Sequence, residues 1–117
     1  MNGIIRVFGE DLIVEHVDNI TMEEGHVEFF DIYANCKDIA LDDFAGFKFD
    51  RKEEVMVATK QKGGLPRHHW FPNAYLLSYN RASGNMILNY INKEGEDDYF
   101  PFNPNELVEI VFEEEEA

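Results

Sequence analysis

This sequence predicts a mainly β fold: a small antiparallel barrel or sandwich built from hairpins, with at most one or two short helices. Apolar residues come in short β-branched or aromatic runs, turn residues break those runs at close intervals, and no long window sustains a 3.6-residue period.

Taken in order, Ile4-Ile5-Arg6-Val7-Phe8 and Leu12-Ile13-Val14 flank the turn Gly9-Glu10-Asp11 and read as two strands. Ile20-Thr21-Met22 and His26-Val27-Glu28-Phe29-Phe30 flank Glu23-Glu24-Gly25, where Gly25 supplies the positive φ that a tight turn needs. Phe44, Phe47 and Phe49 lead into the charged Asp50-Arg51-Lys52, and Val55-Met56-Val57-Ala58 follows as a separate short strand. After the break at Gly63-Gly64 and Pro66, the runs 75–79 and 86–91 form the clearest hairpin around Ser83-Gly84-Asn85, and residues 108–112 close the fold. One-turn helices are expected at 41–45 and 105–108, because Asp and Asn-Pro start helices well. The expected core is Ile5, Val7, Ile13, Val27, Phe29, Phe44, Phe47, Leu88, Ile110 and Phe112.

A weak repeat runs through this order. Phe44, Phe47 and Phe49 share their spacing with Leu107, Ile110 and Phe112, and an apolar anchor, Ile39 or Phe102, lies five residues before each set. Residues 12–54 and 76–116 read as two copies of one β unit; any protein built from hairpins yields some such matches. Residues 1–112 are expected to form one compact domain and residues 113–117 an acidic tail.

The chain has 117 residues and a formal net charge of −14. Residues 1–47 carry eleven acids against Arg6 and Lys37, and residues 82–117 carry ten against Lys93, so the seven cations between them form a basic middle. That balance argues against direct binding to nucleic acid or an anionic membrane, both of which need a positive footprint. The single Cys36 excludes an intramolecular disulfide and points to a reducing compartment, here the cytoplasm. The opening MNGIIRVFGED lacks the pattern of a secretion signal, and no apolar run approaches the roughly 20 residues that span a bilayer.

Chemistry-bearing patterns are sparse. His68 and His69 point to opposite sides of an extended segment, and neither His16, His26 nor Cys36 lies at a metal-motif spacing. The adjacent acids Asp42-Asp43, Glu53-Glu54 and Asp97-Asp98 sit in polar stretches where a raised pKa is not expected. Phosphate-loop and hydrolase signatures are absent from the sequence, so neither an enzyme nor a metal or cofactor is expected.

Two features suggest a partner. Arg67, Trp70, Phe71 and Tyr75 fall within one segment bounded by Gly and Pro, and these residue types dominate binding hot spots. The segment is expected to be a shaped loop, with its rings either presented to a partner or plugging one end of the fold. The acids Glu28, Asp31, Asp42, Asp43, Glu106 and Glu109 form the second feature. On a strand, residues two apart face the same way at roughly 6.6 Å, a spacing near that of successive phosphates. His26, Glu28 and Phe30 should face outward, and Glu106, Glu109 and Glu113 should follow an exposed edge. In composition, this acidic β-rich chain without catalytic signatures resembles small phage-encoded inhibitors of host enzymes. The expected function is therefore non-enzymatic binding of a basic, nucleic-acid-binding protein by mimicry of nucleic acid. The alternative is a structural module that self-associates, as a homodimer for instance, through β edges or the Trp70 segment.

Overall fold

In the computed structural model, which describes residues 1–112, the short apolar runs of the sequence lie on antiparallel strands. The strands are β1 (Gly3–Val7), β2 (Glu10–Val14), β3 (Val17–Glu23), β4 (His26–Asp31), β5 (Cys36–Ala40), β6 (Phe44–Thr59), β7 (Arg67–Asn80), β8 (Asn85–Ile91), β9 (Asp97–Phe102) and β10 (Leu107–Phe112). Short 3-10 turns at Leu41–Asp43 and Pro104–Glu106 precede β6 and β10. No helix among the described residues is long and apolar enough to cross a membrane.

Hydrogen bonding follows the order β5-β4-β3-β10-β6-β7-β8-β9, with β1 added to the front half of β6 and β2 added to β1. The sheet is not closed, so the barrel alternative gives way to a sandwich-like arrangement. Phe29 on β4 meets Phe47 on β6 across the core at a ring-centroid distance of 5.2 Å, although these two strands share no ladder.

Three sequence expectations change here. Asp50-Arg51-Lys52 does not end a strand: β6 runs on to Thr59 and carries these charges outward in a register shift between Lys48 and Glu53. The edge strands β5 and β9 are weakly marked in the sequence, since each holds a single buried residue, Ile39 in β5 and Phe102 in β9. Ile13 is 80% exposed rather than buried, and Val7 is half-buried. The run Leu12-Ile13-Val14 has no alternation, so its parity is set by its partner: Ile13 faces Ile4, and Ile4 points away from the core that Ile5 enters. The other expected core residues are buried.

The repeat is real in topology, but its frame differs. The units are residues 1–49 and 53–112 rather than 12–54 and 76–116. In the first, β1 pairs with the front half of β6 from Gly3–Phe49 to Val7–Phe44, with an irregularity between Arg6 and Val7. In the second, the rear half of β6 pairs with β10 from Val55–Phe112 to Thr59–Leu107, with its irregularity at the same step. β1 then turns into β2 as the rear half of β6 turns into the front half of β7. His16 (φ 58°) after β2 matches Asn73 (φ 47°) within β7. The β3–β4 ladder centres on Ile20–Phe29 and the β7–β8 ladder on Leu77–Leu88, each with a shift at the equivalent place.

Even the loop bonds recur. The Phe8 amide donates to the Asp43 carbonyl at 3.2 Å, and the Lys60 amide donates to the Glu106 carbonyl at 2.7 Å. Each unit's last strand pairs with the other unit's third, Ile110 with Ile20 and Phe47 with Leu77. The two halves therefore complete each other around a pseudo-twofold relation between β6 and β10. Close approach differs slightly between them: a Cβ at Gly3 would sit 2.6 Å from the Phe47 ring, whereas the equivalent position holds Val55, paired with Phe112.

Candidate functional site

The predicted contact segment is a strand, not a loop. Residues 67–71 pair with the rear half of β6 from Thr59 to Val55, and the connecting loop is 60–66 instead. Pro72 is tolerated because it lies in the register shift beside Asn73, where no ladder bond is required of it. Alternation then divides the predicted residues. Trp70 is 56% exposed and Arg67 is exposed, while Phe71 is buried and withdraws from any contact surface. Tyr75 is half-buried and its hydroxyl donates to Asp97 Oδ1 at 3.0 Å, a bond that pushes its own pKa up. Inside, His69 lies against Phe100 with ring centroids 4.8 Å apart. Desolvation, then the charges of Arg67 and His68, lowers its pKa.

The basic middle of the chain does not gather into one surface. The Arg81 guanidinium lies over the Phe8 ring at 4.3 Å and donates to the carbonyl of Asp42, so it ties the units together. Arg51 Nε stands 3.8 Å from Glu53 Oε2. Lys60 and Lys62 in the 60–66 loop and Arg67 at the start of β7 remain exposed.

The six predicted acids are also divided. Asp42 and Asp43 are exposed on one 3-10 turn and Glu106 on the other. Asp31 closes a loop: its Oδ1 accepts from the amides of Tyr33 at 2.8 Å and Asn35 at 2.9 Å. Glu109 is half-buried on β10, a strand with partners on both sides, so the expected exposed edge through Glu106 and Glu109 is not formed; Glu113 lies outside the described residues.

Glu28 and Glu109 do share a face. Val27 and Phe29 point inward, so Glu28 faces out, opposite Thr21 on β3 and Asp38 on β5. Thr21 Oγ1 donates to Glu28 Oε1 at 3.3 Å, and His26 Nδ1 lies 2.7 Å from Asp38 Oδ1. Because Ile110 pairs with Ile20, Glu109 continues the row beside Thr21. In the other unit the equivalent row is Gly46, Ser78, Ile87 and Pro101. Equivalent positions thus carry three carboxylates on one face and none on the other.

The units also differ where the second strand meets the fourth and fifth. A cleft of about 210 Å³ opens there in the first unit, with Val14, Val17 and Phe29 at its apolar wall and Glu15, Asp31 and Lys37 among its polar lining. Cys36 also lines it; burial, then the charges of Glu28 and Asp38, raises the pKa of its thiol. In the second unit Phe71, Tyr90 and Phe100 stand where the first has Val14, Asp31 and Lys37. The Phe71 ring lies 4.9 Å from Tyr90 and 4.8 Å from Phe100. The sequence reading missed this cleft. The signal available to it was the spacing that matched Ile39 with Phe102, which also sets Lys37 against Phe100.

Among the described residues, no three of the His, Cys, Asp and Glu side chains form a group that could hold a metal ion. Comparison of the chain with protein-family models, with curated proteins and with solved structures finds no match.

Proposed function

We propose that this chain is a protein-binding domain that receives a basic, nucleic-acid-binding partner on the carboxylate row of Glu28, Asp38 and Glu109, occupying that partner's nucleic-acid site. The observation that carries this reading is the internal comparison. A need for solubility would act on both outer faces alike, yet only one of two equivalent rows is acidic. Neighbouring strands lie roughly 5 Å apart, so the row fixes charges at separations of the order found along a nucleic-acid backbone. A rigid sheet presents them without an ordering cost at binding.

The test begins with capture of partners at low ionic strength and measures association rate against salt. The triple variant Glu28→Gln, Asp38→Asn, Glu109→Gln should associate more slowly with a flatter salt slope, and DNA or RNA should displace the wild type. Equal rates and slopes would remove the acidic face from the function, and simultaneous binding of nucleic acid would remove the mimicry.

A second reading, self-association, is favoured by one observation. Ile13 and Trp70 hold equivalent outward positions and are both largely exposed, and Tyr99 is 62% exposed on edge strand β9. Association through these residues would persist at high salt, and Ile13→Glu would weaken it.

A further inference from the structure

We infer that the cleft between β2 and the β4–β5 pair is a receptor for one aromatic side chain, carried between Lys or Arg residues on the basic partner. This rests on the reading of the chain as an acidic protein-binding domain and names what the partner must present.

The second unit supplies the template. Its equivalent cleft is filled by the chain's own rings, with Phe100 standing in the place of Lys37. The wall that would receive an incoming ring already exists in the first unit, because Val14, Val17 and Phe29 hold the places of Phe71, Ala74 and Leu88. Volume agrees: about 210 Å³ exceeds the roughly 150 Å³ of an apolar cavity that takes benzene. It is also smaller than the pockets of about 300 Å³ and above that hold whole drug-sized ligands. The site is therefore sized for one side chain.

Charge selects the flanking residues. Glu15 and Asp31 line the cleft against the single Lys37, and Glu28 stands beside it with its Oε2 3.9 Å from Cys36 Sγ. A ring between cations would place its neighbours against these carboxylates.

The probes are two capped peptides, Arg-Lys-Phe-Lys-Arg and its analogue with Ala for Phe, titrated into isotope-labelled protein and followed by amide NMR shifts. The Phe peptide should bind at least tenfold more tightly, as burial of a phenyl ring allows. Its shifts should centre on Val14, Val17 and Phe29. Lys37→Phe, which installs the plug of the second unit, should abolish the preference for Phe while leaving the Ala peptide bound at least as well, since the variant is one charge more negative. Lys37→Ala leaves the cleft open and should keep the preference, which separates filling from loss of the cation. Equal binding of the two peptides to wild type, or a preference that survives Lys37→Phe, would overturn the inference. If both peptides bind equally and weaken with salt, the acidic-domain reading stands without the ring site. If neither binds at millimolar concentration, both fall.

Discussion

The two units of this chain share their ladders, their irregularities and their loop bonds, yet they spend their side chains differently. At the cleft, the second unit buries Phe71, Tyr90 and Phe100 against one another, where the first has Val14, Asp31 and Lys37 around an open space. On the outer faces the difference lies in charge: the row through Glu109, Thr21, Glu28 and Asp38 answers to one through Gly46, Ser78, Ile87 and Pro101. Since the backbone requirements of the two halves are alike, folding alone does not call for these differences. One unit closes itself with aromatic packing, and the other leaves a cleft and a charged face available.

The largest test of this comparison is in the core, where the units should be unequal in degree but alike in kind. Phe47 and Ile110 hold equivalent, fully buried positions. Phe47 also meets the rings of Phe29, Phe49 and Phe112 at centroid distances of 5.2, 5.3 and 6.1 Å. Phe47→Ala should cost about 4 kcal/mol and Ile110→Ala about 3 kcal/mol in urea unfolding. A negligible cost at either site would mean that the halves do not share one core.

A smaller effect comes from exchanging the cleft residues. Phe100→Lys removes a half-buried ring from its contacts with His69 and Phe71 and should cost about 2 kcal/mol. Lys37→Phe should leave stability unchanged or raise the urea midpoint, because the cleft already has an apolar wall. Destabilisation of similar size in both directions would show that the two clefts are not interchangeable.

The same comparison shows what was legible in the sequence. Hairpins marked by Gly25 and Gly84 could be read because a tight turn demands a positive φ there, and both residues have it, at 77° and 74°. The match of Phe44, Phe47 and Phe49 with Leu107, Ile110 and Phe112 could be read because large inward residues keep their spacing. Its extension to Gly3–Val7 and Val55–Thr59 could not, since neither run holds a distinctive residue and the match exists only in their partners. Adjacent Trp70 and Phe71 looked alike as contact residues, but a strand sends neighbours to opposite faces, and pairing with β6 decided that Phe71 turns in. The carboxylate row joins β10, β3, β4 and β5, so no single stretch of sequence contains it. Glu28 and Glu109 were among the expected contacts; Asp38 was not.

The smallest effect separates the units by pH. Asp31 Oδ1 holds its loop by accepting from the amides of Tyr33 and Asn35, and Asn92 Oδ1 holds the matching loop by accepting from those of Glu94 and Glu96, both at 3.0 Å. Desolvation pushes the Asp31 carboxyl up, but the Asn35 backbone and side chain, the Tyr33 amide and the charge of His16 together outweigh it, and its pKa falls below 3.8. A carboxyl with a depressed folded pKa adds stability above its unfolded pKa and loses it as pH falls through the folded value. Asn92 carries no titrating group, and its pH dependence is confined to the bond its side chain makes to Asp98. Asp31→Asn should therefore make stability vary less with pH below about 4, while Asn92→Ala should lower stability by roughly 1 kcal/mol at pH 3 and by more at pH 7, where the charged Asp98 also loses its Asn92 bond. Asp98, whose carboxyl is lowered chiefly by the Tyr99 amide and also by the side chains of Tyr90 and Asn92, keeps its acid dependence in Asp31→Asn and loses part of it in Asn92→Ala. The measurement is urea unfolding at steps from pH 2 to pH 7. An unchanged acid slope in Asp31→Asn would mean that Asp31 stays equally protonated in folded and unfolded chains, and the charged loop of the first unit would then differ from its neutral twin in name only.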